Sequence, residues 1–152
     1  MKEGKIVDND QNIIGVIYPL PKNLIDRIDK SKNIFIKYLP RVPTRKSYSL
    51  KIREGIKLYI YRSGHNKTIV TEAIIDKVEL LFFDEIISKY KNRTIAPYDE
   101  LIKYVQDREN KKLLVLHLKN IKKYDNPLKV KVPITMAGRY ITNENKNDLI
   151  MF

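Results

Sequence analysis

Glu54-Gly55-Ile56-Lys57-Leu58-Tyr59-Ile60-Tyr61 and, after a short polar connection, Lys67-Thr68-Ile69-Val70-Thr71-Glu72-Ala73-Ile74-Ile75 form the stretch on which the fold turns. Glu54-Gly55 reads as a turn, and residues 57–61 alternate with the β-branched and aromatic types that suit a pleated strand. Ser63-Gly64-His65-Asn66 then reads as a hairpin connection. Residues 67–83, rich in Thr, Ile and Val, supply one long strand or two.

Working outward from this hairpin, residues 13–18 form a short apolar run that reads as a buried strand, ended by Pro19 and Pro21. Pro21 suits a first helical turn, and Leu24, Ile25 and Ile28 give one apolar stripe on a helix ending near Ser31. Residues 33–39 alternate, with Ile34, Ile36 and Tyr38 on one side and Phe35, Lys37 and Leu39 on the other, as in a strand wet on part of one face. Pro40 and Pro43 stop it. Residues 40–51 are basic and proline-punctuated, which predicts a surface loop.

Toward the other end, Asp84 is expected to cap a short helix with Ile86, Ile87 and Tyr90 inward. A second helix follows Pro97, with Tyr98, Leu101, Ile102 and Val105 at helical spacing. Residues 112–119 are apolar on both alternating sets, which predicts a strand covered on both faces. Residues 128–132 alternate again, and Ala137-Gly138 lead into a final short element. The order predicts an α+β domain of five to six strands, able to close into a small barrel, with three flanking helices. No linker or repeat divides residues 1–152, so a single domain is expected.

Composition narrows the chemistry. The 152 residues include no cysteine, which removes disulfides, thiolate metal sites and cysteine nucleophiles. His65 and His117 have no spacing that would build a metal site, and five glycines form no phosphate loop. No apolar run is long enough to span a membrane, and the polar residues 1–12 offer no secretion signal, so a cytoplasmic protein is expected. A net charge of +12 points to a polyanionic partner. An AT-rich genome or a hot habitat would also enrich lysine. The charge is uneven, however: residues 37–57 and 111–133 each hold seven bases against one acid, whereas 84–110 is nearly neutral.

Three clusters carry candidate binding chemistry. Lys37, Tyr38, Arg41, Arg45, Lys46 and Tyr48 mix cations for phosphates with rings for bases, the combination single-stranded nucleic acid requires, although tyrosines at a core edge beside a solvated loop would read the same way. Arg62, Ser63 and Gly64, with His65, Asn66 and Lys67, offer backbone donors and cations in a tight connection, which a bare hairpin turn also explains. Arg139 and Tyr140 follow Thr135-Met136-Ala137-Gly138, where small residues allow either a ligand or a crossing chain to come close.

Together, the 54–61 and 67–75 segments resemble the PUA-like superfamily, which includes the PUA, ASCH and EVE domains. Ile14 to Pro21, Phe35 to Pro40, Tyr61 to Gly64 and Pro133 to Tyr140 are similar to an archaeal family of uncharacterised proteins in that superfamily. The resemblance implies a small PUA-like pseudobarrel whose cleft binds RNA or a modified nucleotide, with Lys37, Tyr38, Arg62, Ser63, Gly64, Arg139 and Tyr140 lining the mouth. Recognition, with no cofactor and no metal, is then the expected activity. Some ASCH domains resemble amidohydrolases acting on modified nucleosides through a Lys, a Thr and a Glu. On this chain those positions fall near Lys32, on Phe35 and near Arg93-Thr94, so two of the three roles are vacant. Glu72 or Glu100, with Thr68 or Thr71, would have to supply them.

Overall fold

A computed structural model describes residues 13–38, 51–64, 67–107 and 110–152. Among them, seven strands form one sheet in the order β2-β5-β4-β3-β1-β6, with β7 pairing to β5. The strands are β1 (Ile13–Leu20), β2 (Ile34–Tyr38), β3 (Lys57–Arg62), β4 (Thr68–Leu81), β5 (Leu113–Val130), β6 (Arg139–Thr142) and β7 (Ile150–Met151). Four helices accompany them: α1 (Lys22–Ile25), α2 (Phe83–Tyr90), α3 (Tyr98–Val105) and α4 (Lys146–Leu149). The α+β class holds, with one strand and one helix beyond the expected numbers. Both extra elements, β7 and α4, are too short for periodicity to mark.

The 54–75 hairpin sits at the centre. β3 pairs antiparallel with β4 and parallel with β1, so each of its edges is paired. Leu58 and Ile60 face one hydrophobic core and Tyr59 and Tyr61 a second, the two-residue alternation of a strand sorting them. A third cluster, with Ile34, Ile86, Val105 and Val115, lies beneath α2 and α3. Fully burying a Leu or Ile contributes about 1.5–3 kcal/mol, so Leu58 and Ile60, both completely buried, hold the sheet from one side.

Several boundaries differ from expectation for physical reasons. β1 runs through Pro19 to Leu20. Its ladder with β6 ends at Ile17, so on that side the proline, which has no N–H, faces no strand partner. The helix expected to reach Ser31 stops at Ile25, and Ile28 is brought into the core by tight turns, its N–H bonding to Ile25. Asp84 is exposed and does not cap α2; Glu85 accepts the Phe82 N–H at 3.0 Å instead. On α3, Leu101 and Val105 are buried as expected, whereas Tyr98 and Ile102 are exposed.

Residues 113–130 form one strand where two were expected. Opposite β4, Lys123 pairs with Thr71 and Leu128 with Ile69, so residues 124–127 face Val70 alone. This bulge absorbs Pro127 without ending the strand, and such bulges bend a sheet. No helix among the described residues is long and apolar enough to cross a membrane.

Candidate ligand-binding cleft

Among the described residues β2 is an edge strand, bonded to β5 on one side only. Its free edge is closed at two points. Ile34 donates its N–H to the Arg93 carbonyl at 3.0 Å and accepts the Ile95 N–H at 2.9 Å. Four residues on, the Tyr38 N–H donates to the Tyr104 hydroxyl at 3.0 Å. Alternation puts the N–H and C=O of Ile36, midway between, toward the same edge. That gap opens into a cleft of about 120 Å³, against the roughly 10–15 Å³ a single water needs.

The cleft's walls come from five parts of the chain. Pro19 and Leu20 close one side at the end of β1, with Leu24 of α1 beside them; Phe35, Ile36 and Lys37 form the β2 side. Ile95 and Ala96 lead into α3, which contributes Glu100, Leu101 and Tyr104, and Met136 stands at the rim. The 93–96 segment is held by Arg27, whose Nε donates to the Ile95 carbonyl, and by Arg93, which bonds the Asn33 side chain at 3.2 Å.

Lys37 is the cleft's cation. Strand alternation places it with Phe35 on the first-core face, and it is buried where a partly wet face was expected. Its Nζ lies 5.0 Å from the centre of the Tyr18 ring, a cation–π contact. Among the described residues it has no hydrogen bond and no ion pair. Burial holds its pKa below the ordinary lysine value. Tyr18 packs on Phe35 with ring centres 5.6 Å apart, which fixes the surface beneath the ammonium.

Behind Tyr18 lies the turn that carries the rim. Gly138 adopts φ +77° and donates its N–H to the Thr135 carbonyl at 2.9 Å. A Cβ there would fall 2.6 Å from the Ile17 carbonyl oxygen and from the Tyr18 ring. Of the two meanings open for the Ala137-Gly138 pair, the close crossing of chains is therefore the one seen. The crossing also sets Met136 over the cleft, 63% exposed.

Residues 13–143 match the family described as Domain of unknown function (DUF365). The chain belongs to this family. It is 30% identical over 107 residues to an uncharacterized protein of Methanocaldococcus jannaschii, covering 62% of this chain and 97% of the relative. In fold it is similar to the ASCH protein of Zymomonas mobilis, with TM-score 0.68 and 12% identity over 88% of this chain and 92% of that one. A mutant of that protein gives TM-score 0.62, again at 12% identity, over 90% and 94%. ASCH domains have the PUA-like pseudobarrel fold, so this member of the family has it too.

The structure separates the residues that the sequence grouped. Lys37 lines the cleft; Tyr38, on the opposite face of β2, is stacked on Tyr104 with ring centres 4.0 Å apart. Arg62, Ser63 and Gly64 do not line the cleft, but their turn is tied to it, since Ser63 donates its N–H to the carbonyl of the cleft residue Leu20 at 3.0 Å. Arg139 is exposed opposite Ile17, and Tyr140 packs against the first core opposite Val16. Arg41, Arg45, Lys46 and Tyr48 lie outside the described residues.

Of the borrowed hydrolase positions, only Phe35 lines the cleft. Lys32 donates to the Asn92 carbonyl at 2.8 Å, and the buried Thr94 hydroxyl donates to the Ala96 carbonyl at 2.8 Å. Neither lines the cleft, and Phe35 serves as wall. Glu72 and Thr71 belong to β4; Glu100 alone of the alternative carboxylates reaches the cleft. Sequence reading undervalued Tyr104 and the Ile36 main chain. Tyr104 falls off the Leu101–Val105 stripe, and a main-chain edge leaves no mark in residue identity.

Proposed function

We propose that this DUF365 protein recognises a nucleotide, free or as an unstacked base of single-stranded RNA, in the cleft at the β2 edge. The observation that carries the reading is Lys37: a buried ammonium without an ion pair among the described residues, facing a mostly apolar cleft that Glu100 also lines. Desolvating a cation costs free energy that folding alone does not recover, which makes such a group a candidate for use by a ligand. A ligand oxygen would meet the Lys37 ammonium. A flat ring would lie among Phe35, Leu101 and Met136, and the Ile36 N–H and C=O would read its polar edge.

The rest of the nucleic acid would be held loosely. Arg62, Arg139 and the lysines of β5 surround the sheet with positive charge suited to phosphates. Titration of short single-stranded RNA and of single nucleosides into the wild-type protein and Lys37→Met tests this reading. The log of the affinity for RNA should fall linearly with log salt, and Lys37→Met should weaken both ligands. An affinity unaffected by Lys37→Met would remove the cleft from the function.

A further inference from the structure

On the opposite face of the central hairpin lies a second, more open depression of about 620 Å³. It forms where the sheet meets α4, and Ile14, Ile74 and Ile141 give it apolar walls. Its charged lining side chains are Lys57 and Lys146, and Asn147 and Phe152 also line it. Tyr59, 7% exposed, lines it as well, and its hydroxyl has no hydrogen-bond partner among the described residues.

The neighbouring carboxylate is already occupied. Glu72, across the strand pair from Tyr59, accepts the Tyr124 hydroxyl on Oε1 and the Lys57 ammonium on Oε2 at 3.1 Å. Its charge is answered by Lys57 and by Lys122 nearby. One proton of Lys57 serves Glu72, leaving two donors, and Lys146 has no partner among the described residues. The depression therefore presents two ammonium groups and a buried phenol to whatever enters it.

We propose that this depression is a second binding site, for a phosphomonoester attached to a flat or apolar body. A phosphomonoester carries about −1.5 to −2 charges at pH 7 and three acceptor oxygens, matching two lysines and one hydroxyl donor. Its body would rest against the isoleucine walls. The ester could belong to a free mononucleotide or to the phosphorylated end of a nucleic-acid strand. The site is independent of the β2 cleft, and its failure leaves that reading intact.

The test is calorimetric titration in a Lys37→Met background, which disables the first cleft. The probes are 5′-AMP, adenosine, and a tetranucleotide with and without a 5′-phosphate. Binding of 5′-AMP, of the phosphorylated tetranucleotide or of both supports the proposal and identifies the source. Each unphosphorylated counterpart should bind at least about tenfold more weakly. Adding Tyr59→Phe or Lys146→Ala should weaken the phosphorylated probe about three- to tenfold without lowering the melting temperature appreciably. Equal binding with and without phosphate, no binding of either phosphorylated probe, or binding unchanged in both added variants overturns it.

Discussion

The β2 cleft and the outer length of β5 put positive charge to opposite uses. The cleft holds one ammonium, Lys37, buried on the Tyr18 ring with no ion pair among the described residues, although Glu100 lines the same cleft. β5 carries lysines along an 18-residue strand, and some of them are already neutralised: Lys119 pairs with Asp76 at 3.1 Å, and Lys122 lies near Glu72. Exposed ion pairs contribute little, commonly below about 1 kcal/mol, and move easily. A buried, unpaired ammonium is costly and needs a reason. Counting charges along the chain gives only the expectation of a polyanionic partner, whereas burial singles out one cation, Lys37.

The largest effect on the cleft should come from its foundation. In Gly138→Ala the new Cβ meets the Ile17 carbonyl and the Tyr18 ring at 2.6 Å in a left-handed backbone conformation, which should cost about 3 kcal/mol of stability. Urea denaturation measures it, and a loss under about 1 kcal/mol would mean that the crossing behind Tyr18 is loose. No exposed β5 lysine should approach this figure when replaced, since surface substitutions commonly stay within about 0.5 kcal/mol.

Next comes Lys37 itself. Loss of a charged hydrogen bond of about 1.5–3 kcal/mol predicts a ten- to hundredfold weaker ligand in Lys37→Met. The same change should raise the melting temperature, because it removes a desolvated charge. The pH dependence has a definite sign. Burial lowers the folded pKa of Lys37, so between that value and the unfolded value of about 10.4 the unfolded chain holds the extra proton. The Lys37 contribution to stability therefore rises with pH through this window, while ligand affinity falls as the ammonium is lost. Wild-type affinity declining only where ordinary exposed lysines titrate would contradict the burial argument.

A smaller effect follows at the edge cap. Tyr104→Phe removes the acceptor of the Tyr38 N–H but keeps the stacked ring, and should cost about 1 kcal/mol. Thermal unfolding reads this directly, and an unchanged melting temperature would mean that water replaces the hydroxyl at no cost.

How much of this was legible depended on where the information resides. The 54–75 hairpin was readable because alternation and turn residues are local, and Leu58, Ile60, Tyr59 and Tyr61 sort onto two faces by parity alone. Lys37 also obeyed parity, yet its burial did not show, because the Tyr18 ring that receives it lies on another strand. The extension of β5 through Pro127 was hidden for a similar reason: the bulge opposite Val70 depends on the partner strand. Most of the cleft is likewise non-local. Glu100 and Tyr104 of α3 and Met136 before β6 come to Lys37 from distant parts of the chain, and no spacing along the chain encodes that meeting.

The smallest predicted difference divides β5 against itself. Lys129 is exposed and has no carboxylate partner among the described residues, whereas Lys119 spends its charge on Asp76. If phosphates of a bound strand follow β5, Lys129→Gln should lower the slope of log affinity against log salt by about 0.7, the value for one single-strand phosphate contact. Its affinity near physiological salt should fall less than about threefold. Lys119→Gln should leave the slope unchanged, because its positive charge is already balanced where it lies. Equal slopes for the two variants would show that pairing does not decide which β5 lysines a strand uses. Unchanged slopes in both would confine recognition to the cleft, where one desolvated ammonium outweighs a row of hydrated ones.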